Sequence, residues 1–226
     1  MRHIVIIGNS GAARECFWLF QAMKTQHSDL MFKGFLAFEG YSGELRELAG
    51  HDLGSDEAYT PNCDDLFVIG IGDPALRLKA FTKWKARGVS FLTLTHPACT
   101  IHPETRMGEA NIFACATFIS CNTSLGNANY LNGTVTIGHD VQIGNANFFA
   151  PFSLILGEVH IGSGNSFGVH SVALARSRIG NHNIIAPGAF IYKGCRDDCV
   201  MAGNPAFNIA DHADNGETGQ RRSDAS

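Results

Sequence analysis

From Ile101 onward every sixth residue is apolar, a period that suits neither an ordinary helix nor an ordinary strand. The positions are Ile101, Met107, Phe113, Ile119, Leu125, Leu131, Ile137, Ile143, Phe149, Ile155, Ile161, Phe167, Ala173, Ile179, Ile185 and Ile191; fifteen of the sixteen are large, and the other is alanine. An amphipathic helix repeats about every 3.6 residues and a half-buried strand about every 2. Residues two places earlier are mostly small or β-branched, as at Thr105, Thr117, Thr123, Val135, Val141, Ser153, Val159, Ser171 and Ser177.

Stepping by eighteen sharpens the register. Gly108, Gly126, Gly144, Gly162 and Gly180 form one column, and Asn111, Asn129, Asn147, Asn165 and Asn183 form another. The pattern predicts a triangular coil of three short strands and three turns, repeated five times without insertion. At a strand spacing of about 4.8 Å the prism stands roughly 25 Å tall. Glycine is expected to supply backbone conformations that side chains resist at the corners. Asparagine tolerates such corners too, and stacked amides hydrogen-bond along a ladder.

The first ninety residues read differently. A strand over residues 3–7 runs into Gly8-Asn9-Ser10-Gly11 and then a helix over 12–23. Strand, glycine turn and helix together aim backbone N–H groups at an anion. Further strands are predicted over 32–38, 66–72 and 90–95, with a helix over 75–86. This is a Rossmann-like half domain, large enough for a mononucleotide unit. The expected division is 1–95 for a nucleotide-sugar-binding α/β domain, 96–194 for the prism, 195–210 for a C-terminal cap and 211–226 for a disordered polar tail.

Bulk properties narrow the partners. The net charge is −4 with no run of Lys or Arg, which argues against nucleic acid and an anionic membrane surface. No apolar stretch approaches the roughly 18 residues that a membrane span needs, and the apolar part of the opening segment is too short for a signal peptide. Seven cysteines without a CxxC pair predict free thiols in a reducing cytoplasm. Cys195 and Cys199 lack a second pair at zinc-site spacing, so no metal is expected.

The order of elements resembles the bacterial nucleotide-sugar acyltransferases of the PglD/NeuD/PerB type, in the hexapeptide-repeat superfamily. The matching segments are IVIIGNSGAARE, FVIGIGDPALR, LTHPACTIHP, LNGTVTIGHD and VMAGNPA, spread over residues 3–208. The resemblance implies a left-handed parallel β-helix, a homotrimer, and acyl transfer from acetyl-CoA or another acyl-CoA to an amino group of a nucleotide-linked sugar for surface glycans. It implies His139 as general base, with Asp140 orienting or polarising it. A sugar amine must lose a proton as it attacks a thioester, and imidazole titrates near neutral pH. It places the sugar nucleotide against Ser10, Gly11, Ala12, Gly72, Asp73 and Arg77, and the acyl-CoA along Phe148, Val169, Pro187 and Gly203.

Two departures from that pattern stand out. Relatives read GFLDD after the second strand, where this chain has Gly34-Phe35-Leu36-Ala37-Phe38-Glu39; Phe38 is expected to stack on the base in place of the lost acceptors. Nine residues after His139 relatives carry a second histidine, and this chain has Phe148, a hydrophobic wall that would admit an acyl group longer than acetyl. Three other functions compete: a non-catalytic nucleotide-sugar scaffold or sensor, a sugar O-acyltransferase, and a zinc lyase of the carbonic-anhydrase kind using His139, His160 and His170. The lyase has no use for the phosphate loop.

Overall fold

A computed structural model describes residues 1–25, 27–39 and 43–210. The opening apolar run forms β1 (Arg2–Ile7), whose Ile4 to Ile7 are fully buried, followed by α1 (Gly11–Lys24). Ala13, Cys16, Phe17, Phe20 and Met23 recur at helical spacing and turn one face of α1 onto the sheet. Next come β2 (Leu30–Ala37), a 3-10 turn over Arg46–His51, β3 (Asp52–Ser55), β4 (Asp65–Ile69), α2 (Pro74–Ala86) and β5 (Ser90–Phe91). Asp73 caps α2 by accepting from the Leu76 N–H at 2.8 Å, and Pro74 opens the helix where its missing donor costs nothing. The strands pair in parallel in the order β3-β2-β1-β4-β5. The edge strand β3 was not expected: of its four residues only Leu53 is even half-buried, so it carries no apolar alternation.

The strand expected over 90–95 is divided. Ser90–Phe91 completes the first sheet, and β6 (Leu94–Thr95) pairs with Ile112–Phe113 as the first rung of the prism. The prism therefore starts at Leu94, two residues before the expected boundary, and the backbone passes from one body to the other through Leu92 and Thr93. The predicted tail, 211–226, lies outside the described residues.

The prism is a parallel β-helix with three faces. One, here the docking face, stacks Leu94–Thr95, Ile112–Phe113, Tyr130–Leu131, Phe148–Phe149, Ser166–Phe167 and Ile184–Ile185. The apolar face turns Phe118, Thr136, Leu154, Val172 and Phe190 outward, and the polar face turns out Arg106, Ser124, Gln142, His160 and Arg178. Partners on adjacent rungs lie eighteen residues apart until the last coil, where Arg178 pairs with Gly194 and Ile184 with Val200. A short antiparallel strand over Ala206–Asn208 then folds back on Val200–Gly203. From Phe113 to Ile191 every sixth residue is buried in one continuous core. Each large side chain there contributes about 1.5–3 kcal/mol relative to exposure.

The glycine column has another cause than the one expected. Left-handed φ falls two residues after each glycine, at Ala110 (φ 60°), Ala128 (57°), Ala146 (52°), Gly164 (72°) and His182 (56°). The glycines are there because adjacent coils touch: a Cβ on Gly126 would lie 2.4 Å from Asn145 Oδ1 and 2.8 Å from the Gly144 carbonyl. The asparagine ladder is as expected. Each of Asn129, Asn147, Asn165 and Asn183 donates its backbone N–H and its Nδ2 to the side-chain oxygen of the Asn one coil below, at 2.8–3.1 Å. Asn111, Asn129, Asn147 and Asn165 also give Nδ2 to a glycine carbonyl of the coil above, so the buried amides are satisfied. A second ladder at the corner surface runs the other way, with the N–H groups of Glu109, Asn127, Asn145, Ser163 and Asn181 donating to the coil above.

The α/β domain and the prism share cores. Ile112, Tyr130 and Phe148 of the docking face pack with α1 and one side of the first sheet. Ala110, Ala128 and Ala146, at the corner between the polar and docking faces, pack with Ile7, Ile69 and Ile71 on its other side. The corner positions under the domain are all alanine, where larger side chains would hold the bodies apart.

Candidate active site

In an open parallel sheet ligands bind beyond the carboxyl ends of the strands, where the strand order reverses. Here that point lies between β1 and β4, and it is tightly built. Gly8 (φ 116°) passes so close to β4 that a Cβ on it would sit 2.5 Å from the Gly70 carbonyl. Ser10 is the N-cap of α1, but its hydroxyl caps nothing and the first turn holds no acidic residue. The opening N–H groups of the helix thus have no side-chain cap. Arg14, not singled out from the sequence, has its guanidinium beside Gly11, and its buried Nε has no partner. Ala12 Cβ and Phe148 Cε2 each lie 4.0 Å from where a Cβ on Gly72 would be, so these three residues meet where the domain rests on the prism.

Two residues expected beside the sugar nucleotide are buried. Phe38 is 1% exposed, packed in the core with Lys83 over its ring, and has no face free for a base. Arg77 is fully buried and donates to four backbone carbonyls: Ile69 (2.7 Å), Ile71 (2.8 Å), Ala128 (2.9 Å) and Ala110 (3.4 Å). Burial pulls its pKa down to about 10, which keeps it charged at neutral pH. It is a strut, not a ligand contact. Asp73 is exposed, with one carboxylate oxygen engaged in capping α2. Phe148, expected along the acyl-CoA, stands edge-on to Tyr130 with ring centroids 5.3 Å apart, half-buried on the docking face. The hydroxyl of Tyr130 donates to Glu15 Oε2 at 2.8 Å, tying the docking face to α1.

His139 and Asp140 occupy the corner between the apolar and polar faces, opposite the docking face. His139 Nδ1 lies 2.6 Å from Asp140 Oδ2. A carboxylate only accepts, so Nδ1 carries a proton, and in the neutral imidazole Nε2 holds the lone pair. Asp140 is held in turn by Asn122 Nδ2 from the coil below, a residue that the sequence reading passed over. Hydrogen bonds from Asn122 and then His139 hold the Asp140 carboxyl below the usual carboxylate range, which keeps it an anion at neutral pH. The imidazole lies over Gly157 of the coil above, where a Cβ would come within 2.6 Å of both Cε1 and Nε2. Gly157→Ala should therefore push the ring aside without straining the backbone.

Val169 and Pro187 are exposed neighbours on the corner between docking and apolar faces, joined by the bond from the Gly188 N–H to the Val169 carbonyl at 2.9 Å. Gly203 is exposed on the C-terminal hairpin. The three histidines of the lyase reading are not brought together within the chain. His139 is on one corner, His160 on the polar face, and His170 on another corner, stacked on Phe152 at 4.9 Å. Among the described residues the cluster of possible metal ligands is His3, Asp64 and Asp65, at the amino ends of β1 and β4. Also among the described residues, no helix is long and apolar enough to cross a membrane.

No protein-family model and no curated protein matches the chain by sequence. Solved structures do match by shape. Perosamine N-acetyltransferase from Caulobacter crescentus, solved with CoA and GDP-perosamine, superposes with a TM-score of 0.81 at 21% identity, covering 92% of this chain and 97% of that one. The acetyltransferase domain of PglB from Neisseria gonorrhoeae gives 0.81 at 19% identity, covering 92% and 100%. WeeI from Acinetobacter baumannii gives 0.79 at 24%, again covering 92% and 100%. The likeness spans both bodies, and the chain has the fold of these proteins: a Rossmann-like half domain followed by a left-handed parallel β-helix.

Proposed function

We propose that this protein transfers an acetyl group from acetyl-CoA to the amino group of a nucleotide-linked sugar, with His139 as general base. The observation that carries the reading is the exposed His139, its Nδ1 held by Asp140 at 2.6 Å and its Nε2 left free to accept a proton. The amine nitrogen attacks the thioester carbonyl, its proton passes to His139 Nε2, the C–S bond breaks and the sulfur leaves as the CoA thiolate. The proton on Nε2 then returns to that sulfur, giving the N-acetyl sugar and free CoA. The open first turn of α1, with Arg14 beside it, receives the diphosphate of the sugar nucleotide. Support by likeness comes from the Caulobacter protein, whose structure holds CoA and GDP-perosamine.

The reading includes a homotrimer. The nucleotide cleft lies on the docking face and His139 on the opposite corner, so one chain does not bring the two together. A cyclic arrangement in which each copy offers His139 to the cleft of its neighbour completes the site, with Val169 and Pro187 beside the acyl-CoA. It also places the enzyme in the cytoplasm, supplying surface glycans; its seven free cysteines suit a reducing compartment.

The test is thiol release from acetyl-CoA across a panel of UDP-, GDP- and dTDP-linked 4-amino sugars, with sedimentation to give the subunit number. Turnover with one class of sugar by a trimer is expected. Nucleotide sugars that bind without any thiol release would replace the transferase by a sensor.

A further inference from the structure

The acyltransferase reading leaves Arg77 unexplained, and Arg77 is a costly residue to keep. Its guanidinium is fully buried, and among the described residues no carboxylate pairs with it. Burying a charge is unfavourable unless its hydrogen bonds are met, and here backbone carbonyls alone meet them. Which carbonyls they are gives the residue its meaning. Ile69 and Ile71 flank Gly70 at the carboxyl end of β4, directly before Gly72 in the wall of the nucleotide cleft. Ala110 and Ala128 are the same corner position on successive coils of the prism. One planar group thus ties the end of β4 to two coils at once. The fork geometry of arginine suits that span, and the single ammonium of lysine does not.

The same joint reaches the other wall of the cleft. The Arg77 guanidinium carbon lies 5.4 Å from the centre of the Tyr130 ring, and the Tyr130 hydroxyl donates to Glu15 on α1. Tyr130 in turn is edge-on to Phe148, whose ring meets Gly72.

We propose that Arg77 is a positioning residue, holding the nucleotide cleft in fixed register with the prism so that the bound sugar presents its amine at a constant place. The proposal rests on the acyltransferase reading for the identity of the ligand, not for the joint itself. Arg77 touches neither substrate; it acts through the Gly70–Asp73 loop and through Tyr130.

The test uses the full chain carrying Arg77→Lys, with Tyr130→Phe as a second variant that keeps the ring and removes only the bond to Glu15. Three quantities are read: the KM for the nucleotide sugar, the KM for acetyl-CoA, and amide hydrogen exchange over residues 70–73. In Arg77→Lys the nucleotide-sugar KM is expected to rise at least tenfold, the acetyl-CoA KM to stay within twofold, and exchange at 70–73 to accelerate. Tyr130→Phe should move the same quantities by less. A purely structural role would lower kcat with the folded fraction and leave both KM values alone, and that result overturns the proposal. Exchange at 70–73 unchanged from wild type also overturns it. Should wild type release no thiol with any sugar, the acyltransferase reading fails separately, and the exchange measurement still decides whether Arg77 holds the loop.

Discussion

His139→Ala is expected to lower kcat/KM for acyl transfer by about 10²–10⁴, roughly 3–5 kcal/mol of transition-state stabilisation. The side chain is 55% exposed and rests on a glycine, so its removal opens no cavity and should leave Tm nearly unchanged. A loss of rate without a loss of fold is what separates a base from a structural corner residue. Asp140→Asn should cost less, about tenfold, because an amide can rotate to present its oxygen to Nδ1 but carries no charge to stabilise the imidazolium formed during attack. Nucleotide-sugar binding should survive both changes, since the reading gives the diphosphate to the first turn of α1 and Arg14 and not to the His139 corner. Steady-state kinetics with calorimetric binding would check this. A His139→Ala enzyme keeping more than a tenth of the wild-type rate would remove the histidine from the chemistry.

The largest effect on stability is expected from Asn147→Ala, in the middle of the buried ladder. Asn147 accepts from the backbone N–H and Nδ2 of Asn165 and donates to Asn129 Oδ1 and the Gly162 carbonyl. Truncation removes four bonds and strands the Asn165 N–H inside the prism, where no water replaces the lost acceptor. Each lost bond is worth about 1 kcal/mol, so destabilisation of roughly 4 kcal/mol follows. For a chain of this size that is a fall of about 8–16 °C in Tm. Asn127→Ala, on the half-buried outer ladder, should cost less than half as much because solvent reaches the freed groups. Equal effects at the two positions in thermal unfolding would refute the role given to burial.

The two-body architecture was legible because one period, repeated over a long stretch, outweighs local ambiguity. What stayed hidden depended on groups that periodicity does not address. Left-handed corners fall every six residues, yet Thr134, Phe152, Glu158 and Arg176 fill them as readily as Ala or Asn, so no residue type marks them. Arg77 was placed at the sugar nucleotide by the resemblance alone, and only three-dimensional packing shows four carbonyls converging on it. Phe38 had the right place in the chain, but its ring turned into the core. Asp140 was found as the neighbour of His139 in sequence. Asn122 and Gly157 were missed although a signal existed: they stand eighteen residues from Asp140 and His139, the same step that exposed the asparagine ladder.

The unbroken eighteen-residue register has a consequence for how such a chain changes over generations. Every coil between the domain and the cap presents the same donors below and the same acceptors above. A duplication of one whole coil, for example the stretch 166–183, would therefore meet ready-made partners on both sides. The prism would grow by one rung, about 4.8 Å, with the joint at Arg77 and the corner at His139 untouched. Tandem duplication and deletion in units of eighteen thus preserve the hydrogen bonding of the prism, and its height can drift, or be engineered, with Pro187 and Gly203 shifting by whole rungs relative to His139.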